Sequence, residues 1–232
     1  LSSPSLPSII AIDGPVASGK SSIGRRLAEH LGYLFFDTGL MYRAVTYLAL
    51  RDRVPLDDEE AVALYTLRTH VDVLPPTVDD GRDCTVLAEG DEDITWELRS
   101  KEVEDNVSRV AAIPQVRRIL TSRMRQVGLR GRVVMVGRDV GSAIVPEADF
   151  KIFLTASVET RARRRFEETQ ARGEARSYEE ILANLRERDR IDSSRQTAPL
   201  RRPPDAYLLD TTDLNIPGVV AAIERLIADS EK

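Results

Sequence analysis

The sequence predicts an α/β fold, a three-layer α/β/α arrangement around a five-stranded parallel sheet. Three observations carry this. Short apolar runs recur along the chain, helical patterns separate them, and the first run leads directly into a phosphate-loop motif. The apolar runs at residues 9–12, 34–36, 133–136, 152–154 and 207–209 read as strands. Their near-continuous apolar composition suits strands buried on both faces, as in a parallel sheet.

Helical patterns cover residues 21–31, 40–50, 61–69, 101–112, 115–127, 158–172, 178–190 and 219–228. Start signals support several of them: Asp57 before the third, Ser100 before the fourth, Pro114 before the fifth and Ser157 before the sixth. Ser177-Tyr178-Glu179-Glu180 has the spacing of a capping box. Between residues 71 and 98 the rhythm breaks. Two β-type runs, 71–74 and 84–87, flank Pro75-Pro76 and Asp79-Asp80-Gly81, which predicts a small antiparallel insertion.

Composition narrows the class of protein. The chain has 232 residues, 42% hydrophobic and 31% charged, which describes one globular domain with a substantial core. No run approaches the ~18 apolar residues that a membrane span needs. The first eight residues are rich in Ser and Pro and lack a basic-then-apolar targeting pattern, so they read as an irregular start. A single cysteine, Cys84, excludes an intrachain disulfide and fits a cytoplasmic setting. His30 and His70 stand far apart without cysteine companions, so no metal-site spacing arises. A net charge of −5 argues against nucleic acid as a partner. Of 33 basic residues 29 are Arg, and one of the four lysines, Lys20, falls where a phosphate loop requires a slim point charge.

The loop runs Gly14-Pro15-Val16-Ala17-Ser18-Gly19-Lys20-Ser21 and continues into Ser22 and the first helical pattern. Its glycines let the backbone curl until several N–H groups face one anion-sized hollow. The following helix adds its positive end. Lys20 would reach the terminal phosphates of a nucleoside triphosphate, and the Ser21 hydroxyl would ligate Mg²⁺.

Arginines at the other strand ends offer a second anion site. Asp37-Thr38-Gly39-Leu40-Met41-Tyr42-Arg43 follows the second strand; Thr38 is placed to cap a helix and Arg43 lies about a turn further on. Arg43 is either an anion ligand or a solvated helix residue. Gly137-Arg138-Asp139-Val140-Gly141-Ser142 ends the third strand, a poor choice for a plain turn and a good one for a site. Arg161, Arg163, Arg164 and Arg165 open the helix after the fourth strand; they either meet anions or form a solvated face. Arg188, Asp192 and Arg195 share one helix face if the helix persists that far, giving either an anion fork with a sugar-reading carboxylate or a salt-bridged helix end. Gly173, within residues 171–177, reads as the tip of a segment that closes over the donor.

These pieces together resemble the bacterial cytidylate kinases (CMP/dCMP kinases) of the nucleoside monophosphate kinase group. The resemblance rests on Ile12-Asp13-Gly14-Pro15 with Ala17-Ser18-Gly19-Lys20, on Asp37-Thr38-Gly39 with Tyr42-Arg43, and on Glu89-Gly90. It continues through Ser108-Arg109-Val110-Ala111, Gly137-Arg138-Asp139, Lys151-Ile152-Phe153-Leu154, Arg188-Asp189-Arg190 and Ala198-Pro199-Leu200.

The resemblance implies transfer of the γ-phosphoryl group of ATP, with Mg²⁺, to CMP or dCMP, by a monomer. A kinase for another small acceptor, UMP or a non-nucleotide alcohol, is the alternative. It also implies a core of residues 8–60 and 113–230, a monophosphate-binding insertion at about 61–112 and an arginine-rich lid at about 158–178. Thr38, Tyr42, Arg43 and Arg138 would hold the acceptor, with Ser108, Arg117 and Asp139 reading cytosine and Arg188, Asp192 and Arg195 around the pentose. Arg161 and Arg165 would cover the ATP phosphates, and Lys20, Arg138 and Arg188 would stabilise the moving group. The chain departs from the family pattern at Val16, Trp96, Val136 and Ser142.

Overall fold

A computed structural model describes residues 6–171, 173, 175–194 and 198–230. Five parallel strands form the central sheet: β1 (Ile9–Asp13), β2 (Leu34–Asp37), β5 (Val133–Gly137), β6 (Phe150–Thr155) and β7 (Tyr207–Asp210). They lie in the order β2-β5-β1-β6-β7. The alternation of side chains along β1 explains its apolar run. Ile9 and Ala11 enter one core and Ile10 and Ile12 the other, so both faces must be apolar.

The first core is closed by α2 (Gly39–Arg51), α3 (Glu59–Arg68), α4 (Lys101–Ala112) and α5 (Pro114–Gly128), which supply Met41, Val45, Leu48, Val62, Val110, Leu120 and Met124. The second is closed by α1 (Lys20–Leu31) and α8 (Ile216–Ser230), through Ile23, Leu27, Val219 and Ile223. Helix α1 lies so close to the sheet that a Cβ on Gly24 would stand 2.6 Å from Val136 Cγ1. That close approach also explains the apolar residue at position 136, which is buried beneath the helix.

The antiparallel insertion is present as β3 (Val71–Leu74) paired with β4 (Thr85–Ala88). Arg82 organises it by bonding Asp80 at 2.7 Å and contacting Asp93. Trp96 belongs to the same cluster: its indole N–H donates to Asp80 at 2.8 Å, and Arg99 stacks 4.4 Å from its ring centre. Arg25 on α1 donates to Asp83 at 2.6 Å, tying the insertion to the core.

Helices α6 (Val158–Ala171) and α7 (Tyr178–Ser194) pack as a hairpin around Ala162, Ile181 and Leu185. Val16 and Ala17 of the phosphate loop pack against this small core, which accounts for the bulk at position 16. Ser177 and Glu180 exchange bonds at 3.0 and 3.2 Å, completing the expected capping box. Two expected caps are corrected. Asp58, not Asp57, caps α3 by accepting from Ala61 N at 2.9 Å. Thr38 does not cap α2 with its side chain; its hydroxyl donates to Val136 O at 3.0 Å, while Asp37 accepts from Gly39 N at 2.9 Å. The Val136 carbonyl accepts from both the amide and the hydroxyl of Thr38, at 3.0 Å each, and the neighbouring carboxylate is the stronger cap. The expected helix end at Arg172 lies outside the described residues, as does Arg195.

Replacing Gly24 tests the helix–sheet contact. In a free helix Gly24→Val would gain stability, because Gly costs about 1 kcal/mol there against Ala. Here the overpacking against Val136 outweighs it, and denaturant melts should show Gly24→Val less stable by about 1–3 kcal/mol.

Candidate active site

The site forms at the carboxyl ends of β1, β2 and β5, where open α/β sheets bind ligands. From β1 the chain enters the loop at Gly14, whose φ is +153°. A Cβ there would lie 2.1 Å from Leu154 O, so no other residue fits. Ala17 and Gly19 also take positive φ, 58° and 92°, and Gly19 opens α1 without any side-chain cap. The first amides of α1 are thereby left to face an external anion.

Lys20 is half-buried and folds back over the loop, with Nζ donating to Pro15 O at 2.6 Å and reaching Ser18 Oγ at 3.5 Å. Burial pushes its pKa down to about 7, with further lowering from the Arg138 guanidinium and the reverse pull of Asp37 and Asp13. Ser21 is exposed, and its hydroxyl donates to Asp37 Oδ2 at 3.1 Å. A hydroxyl and a carboxylate so close are hard oxygen donors suited to Mg²⁺, which takes most of its other ligands from phosphate and water.

Opposite the loop stand the acceptor candidates. Thr38 is buried at the start of α2. Its Oγ1 lies where a Cβ on Gly137 would come within 2.6 Å, so Gly137 is required for the two strand ends to meet. Arg138 pairs with the buried carboxylate of Asp192 on α7, which unites two residues 54 positions apart. Arg188 lies one turn earlier on α7, on the face it shares with Asp192, and is exposed. Arg43 is half-buried on α2 and donates to Leu98 O at 3.5 Å, linking the site to the insertion.

Arg117 and Asp139 are both buried and share a 2.7 Å bond. The Arg117 guanidinium also lies 5.6 Å from the Tyr42 ring centre and donates to Ala111 O at 3.4 Å. Ser108 stands exposed on α4, and among the described residues it has no hydrogen bond to that pair.

The arginines of α6 have separate duties. Arg161 is buried: Nε donates to Ala156 O at 3.1 Å, Nη1 to Val16 O at 3.1 Å, and Nη2 to Asp189 at 2.6 Å. Arg164 bonds Thr211 O at 2.5 Å and Leu214 O at 3.3 Å, holding the turn after β7. Arg165 is half-buried and pairs with Glu168 at 3.1 Å.

Five residues were given no role by sequence reasoning, although four of them stand in the motifs quoted above. Asp37 joins Ser21 to the start of α2, and Asp189 receives Arg161. Thr211 donates to Thr155 O at 3.1 Å between β6 and β7. Lys151, buried on β6, pairs with Asp205 at 2.5 Å. Asp13 accepts from Val140 N at 2.7 Å and Gly141 N at 2.8 Å. Asp13 left the clearest signal, a carboxylate closing an apolar strand just before the loop; Asp37, Lys151 and Asp189 stand inside quoted motifs, and Thr211 left none.

A phosphate loop facing an arginine-lined second site defines a phosphoryl-transfer enzyme of the P-loop kinase class. The family model described as "Cytidylate kinase" matches residues 10–229. Curated relatives called cytidylate kinase include one from Herpetosiphon aurantiacus, 54% identical over 81% of this chain and 82% of its own. Others come from an Exiguobacterium species, 46% identical over 95% of this chain and 96% of its own, and from Carboxydothermus hydrogenoformans, 43% identical over 94% and 96%. The chain belongs to the cytidylate kinase family.

Lys20 makes the loop's response to a polyphosphate measurable. Phosphates favour the charged ammonium, so binding raises a pKa that stands at about 7. Calorimetry in buffers of different ionisation enthalpy should show proton uptake growing as pH rises above that value and vanishing well below it. Uptake that does not change with pH would contradict the assignment.

Proposed function

We propose that this chain transfers the γ-phosphoryl group of ATP to CMP or dCMP, giving CDP or dCDP. The observation that carries the reading is the two-ended cleft. The loop from β1 faces Thr38 at the end of β2 and Arg138 at the end of β5, with Asp192 closing over Arg138. Relatives named cytidylate kinase, at 42–54% identity, favour this acceptor over UMP or a non-nucleotide alcohol.

The chemistry asks little of the protein beyond placement and charge. A monophosphate is already largely dianionic at neutral pH, its second pKa being about 6, so its oxygen attacks without a general base. The charge of the moving group spreads over its equatorial oxygens, and preorganised cations stabilise it. We assign that work to Lys20, Arg138 and Arg188. The donor phosphates would rest on the amides of Gly14 to Ser22, with Arg161 and Arg165 joining once phosphate oxygens replace Asp189 and Glu168 as their partners.

Mg²⁺ at Ser21 would neutralise and orient the terminal donor phosphates. The acceptor phosphate would be held by Thr38, Arg43 and Arg138, beside Tyr42. Arg117 and Asp139, with Ser108 brought in from α4, would read cytosine; Asp192 and Arg195 would serve the pentose. A buried ion pair such as Arg117–Asp139 discriminates bases sharply, because the wrong edge leaves polar groups unsatisfied.

We also propose that residues 61–112 form the monophosphate-binding region and 158–178 the lid, which close to exclude water. We propose a monomer in the cytoplasm, and the −5 net charge supports the reading that it binds no nucleic acid. No helix among the described residues is long and apolar enough to cross a membrane.

Acceptor preference tests the reading. In an ADP-release assay with ATP and Mg²⁺, CMP should exceed UMP and AMP in kcat/KM by about 100-fold or more. Comparable rates with AMP would refute the cytosine assignment.

A further inference from the structure

Arg138 and Asp139 form a two-residue span, and both of its ends are held by the same residue. On the near side, Asp13 is the ladder partner of Gly137 where β1 runs beside β5. On the far side, the Asp13 side chain accepts from Val140 N through Oδ1 at 2.7 Å and from Gly141 N through Oδ2 at 2.8 Å. Those amides begin the π-turn Val140–Ile144. The turn is seated tightly: a Cβ on Gly141 would lie 3.2 Å from Lys151 Cδ and 3.3 Å from Asp13 Oδ2. Asp13 is also bonded directly to Gly14, the first residue of the donor loop.

We propose that Asp13 is the positioning residue that fixes Arg138 and Asp139 relative to the donor loop, by clamping the turn behind them with its carboxylate. The inference rests on the assignment of Arg138 and Asp139 to the acceptor. It goes beyond that assignment by naming what aims them.

The chemistry singles out a carboxylate. Both amides point N–H groups at one side chain, and only an ionised carboxylate offers two acceptors and no donor. An amide would set its own N–H₂ against one of them. Charge at this place is costly. Asp13 is almost fully buried, and burial raises its pKa to about 6 against the lowering effect of the two amides, with Asp139 raising it further and Lys20 lowering it. An apolar residue would continue the strand Ile9–Asp13 more cheaply, so the cost is retained for what the carboxylate holds. A misplacement of about 1 Å in a reacting geometry costs on the order of 100-fold in rate.

The test separates donor from acceptor. In Asp13→Asn, kcat/KM for CMP should fall about 100-fold, with KM for CMP raised and kcat lowered, while ATP binding measured alone stays near the wild-type value. Gly141→Ala approaches the same turn from the opposite side and should give a smaller loss of the same acceptor-selective kind. Wild-type turnover of CMP is the control for the substrate reading. If CMP is not the acceptor, that reading fails, and the same comparison is run on the monophosphate the panel selects.

Equal loss of donor and acceptor affinity in Asp13→Asn would make Asp13 a support of the loop and overturn the proposal. Unchanged acceptor kinetics would overturn it too. If Asp13→Asn does not fold, Gly141→Ala decides alone, and wild-type acceptor kinetics in that variant overturn the clamp.

Discussion

The parallel ladder between β1 and β5, ending at Asp13 opposite Gly137, is the constraint on which the site depends. It sets the donor loop and the Arg138–Asp139 span side by side, at the ends of two strands buried on both faces. Everything further from the sheet adjusts to that spacing. Gly14 lies against Leu154 O and Gly137 against Thr38, and in each case a single added carbon would force the strand ends apart. The tolerance of the site is therefore set by backbone packing, and the charged side chains inherit it.

The arginines divide according to the same geometry. Arg25, Arg82 and Arg164 bind carboxylates or carbonyls of neighbouring segments: Arg82 holds the insertion together, Arg25 ties it to the core, and Arg164 holds the turn after β7. Arg138 stands at the cleft with Asp192, and Arg188 lies on the same helix as that carboxylate. Arg117 is between these groups in character, buried like a structural residue and yet paired with a carboxylate of the strand end. A planar fork with several donors suits all three duties, which a lysine would fill poorly. The exception is Lys20, where a narrow stem must pass the curled loop.

Local pattern made most of the fold legible. Burial on both faces and the capping-box spacing are properties of short windows, and the strands, the helices and the insertion follow from them; the exception is β7, at the sheet edge, whose Tyr207 and Leu208 are exposed. The phosphate loop was legible for the same reason. What the sequence concealed depends on pairings across long separations. Arg161 meets Asp189 28 positions away, and Asp13 meets Val140 127 positions away. Thr38 fits a cap by type and place; the Val136 carbonyl that accepts both its amide and its hydroxyl belongs to another strand. Trp96, out of place as a motif residue, is explained only by Asp80 and Arg99 folding around it.

The central claim is that the donor loop and the acceptor arginines are two ends of one cleft. Titration with a bisubstrate molecule that joins cytidine 5′-phosphate to adenosine through a polyphosphate chain tests it most directly. One-to-one binding that displaces both CMP and ATP, and that is weakened by Lys20→Ala and by Arg138→Ala alike, is the result this geometry predicts. Displacement of only one nucleotide, or insensitivity to either substitution, would contradict it.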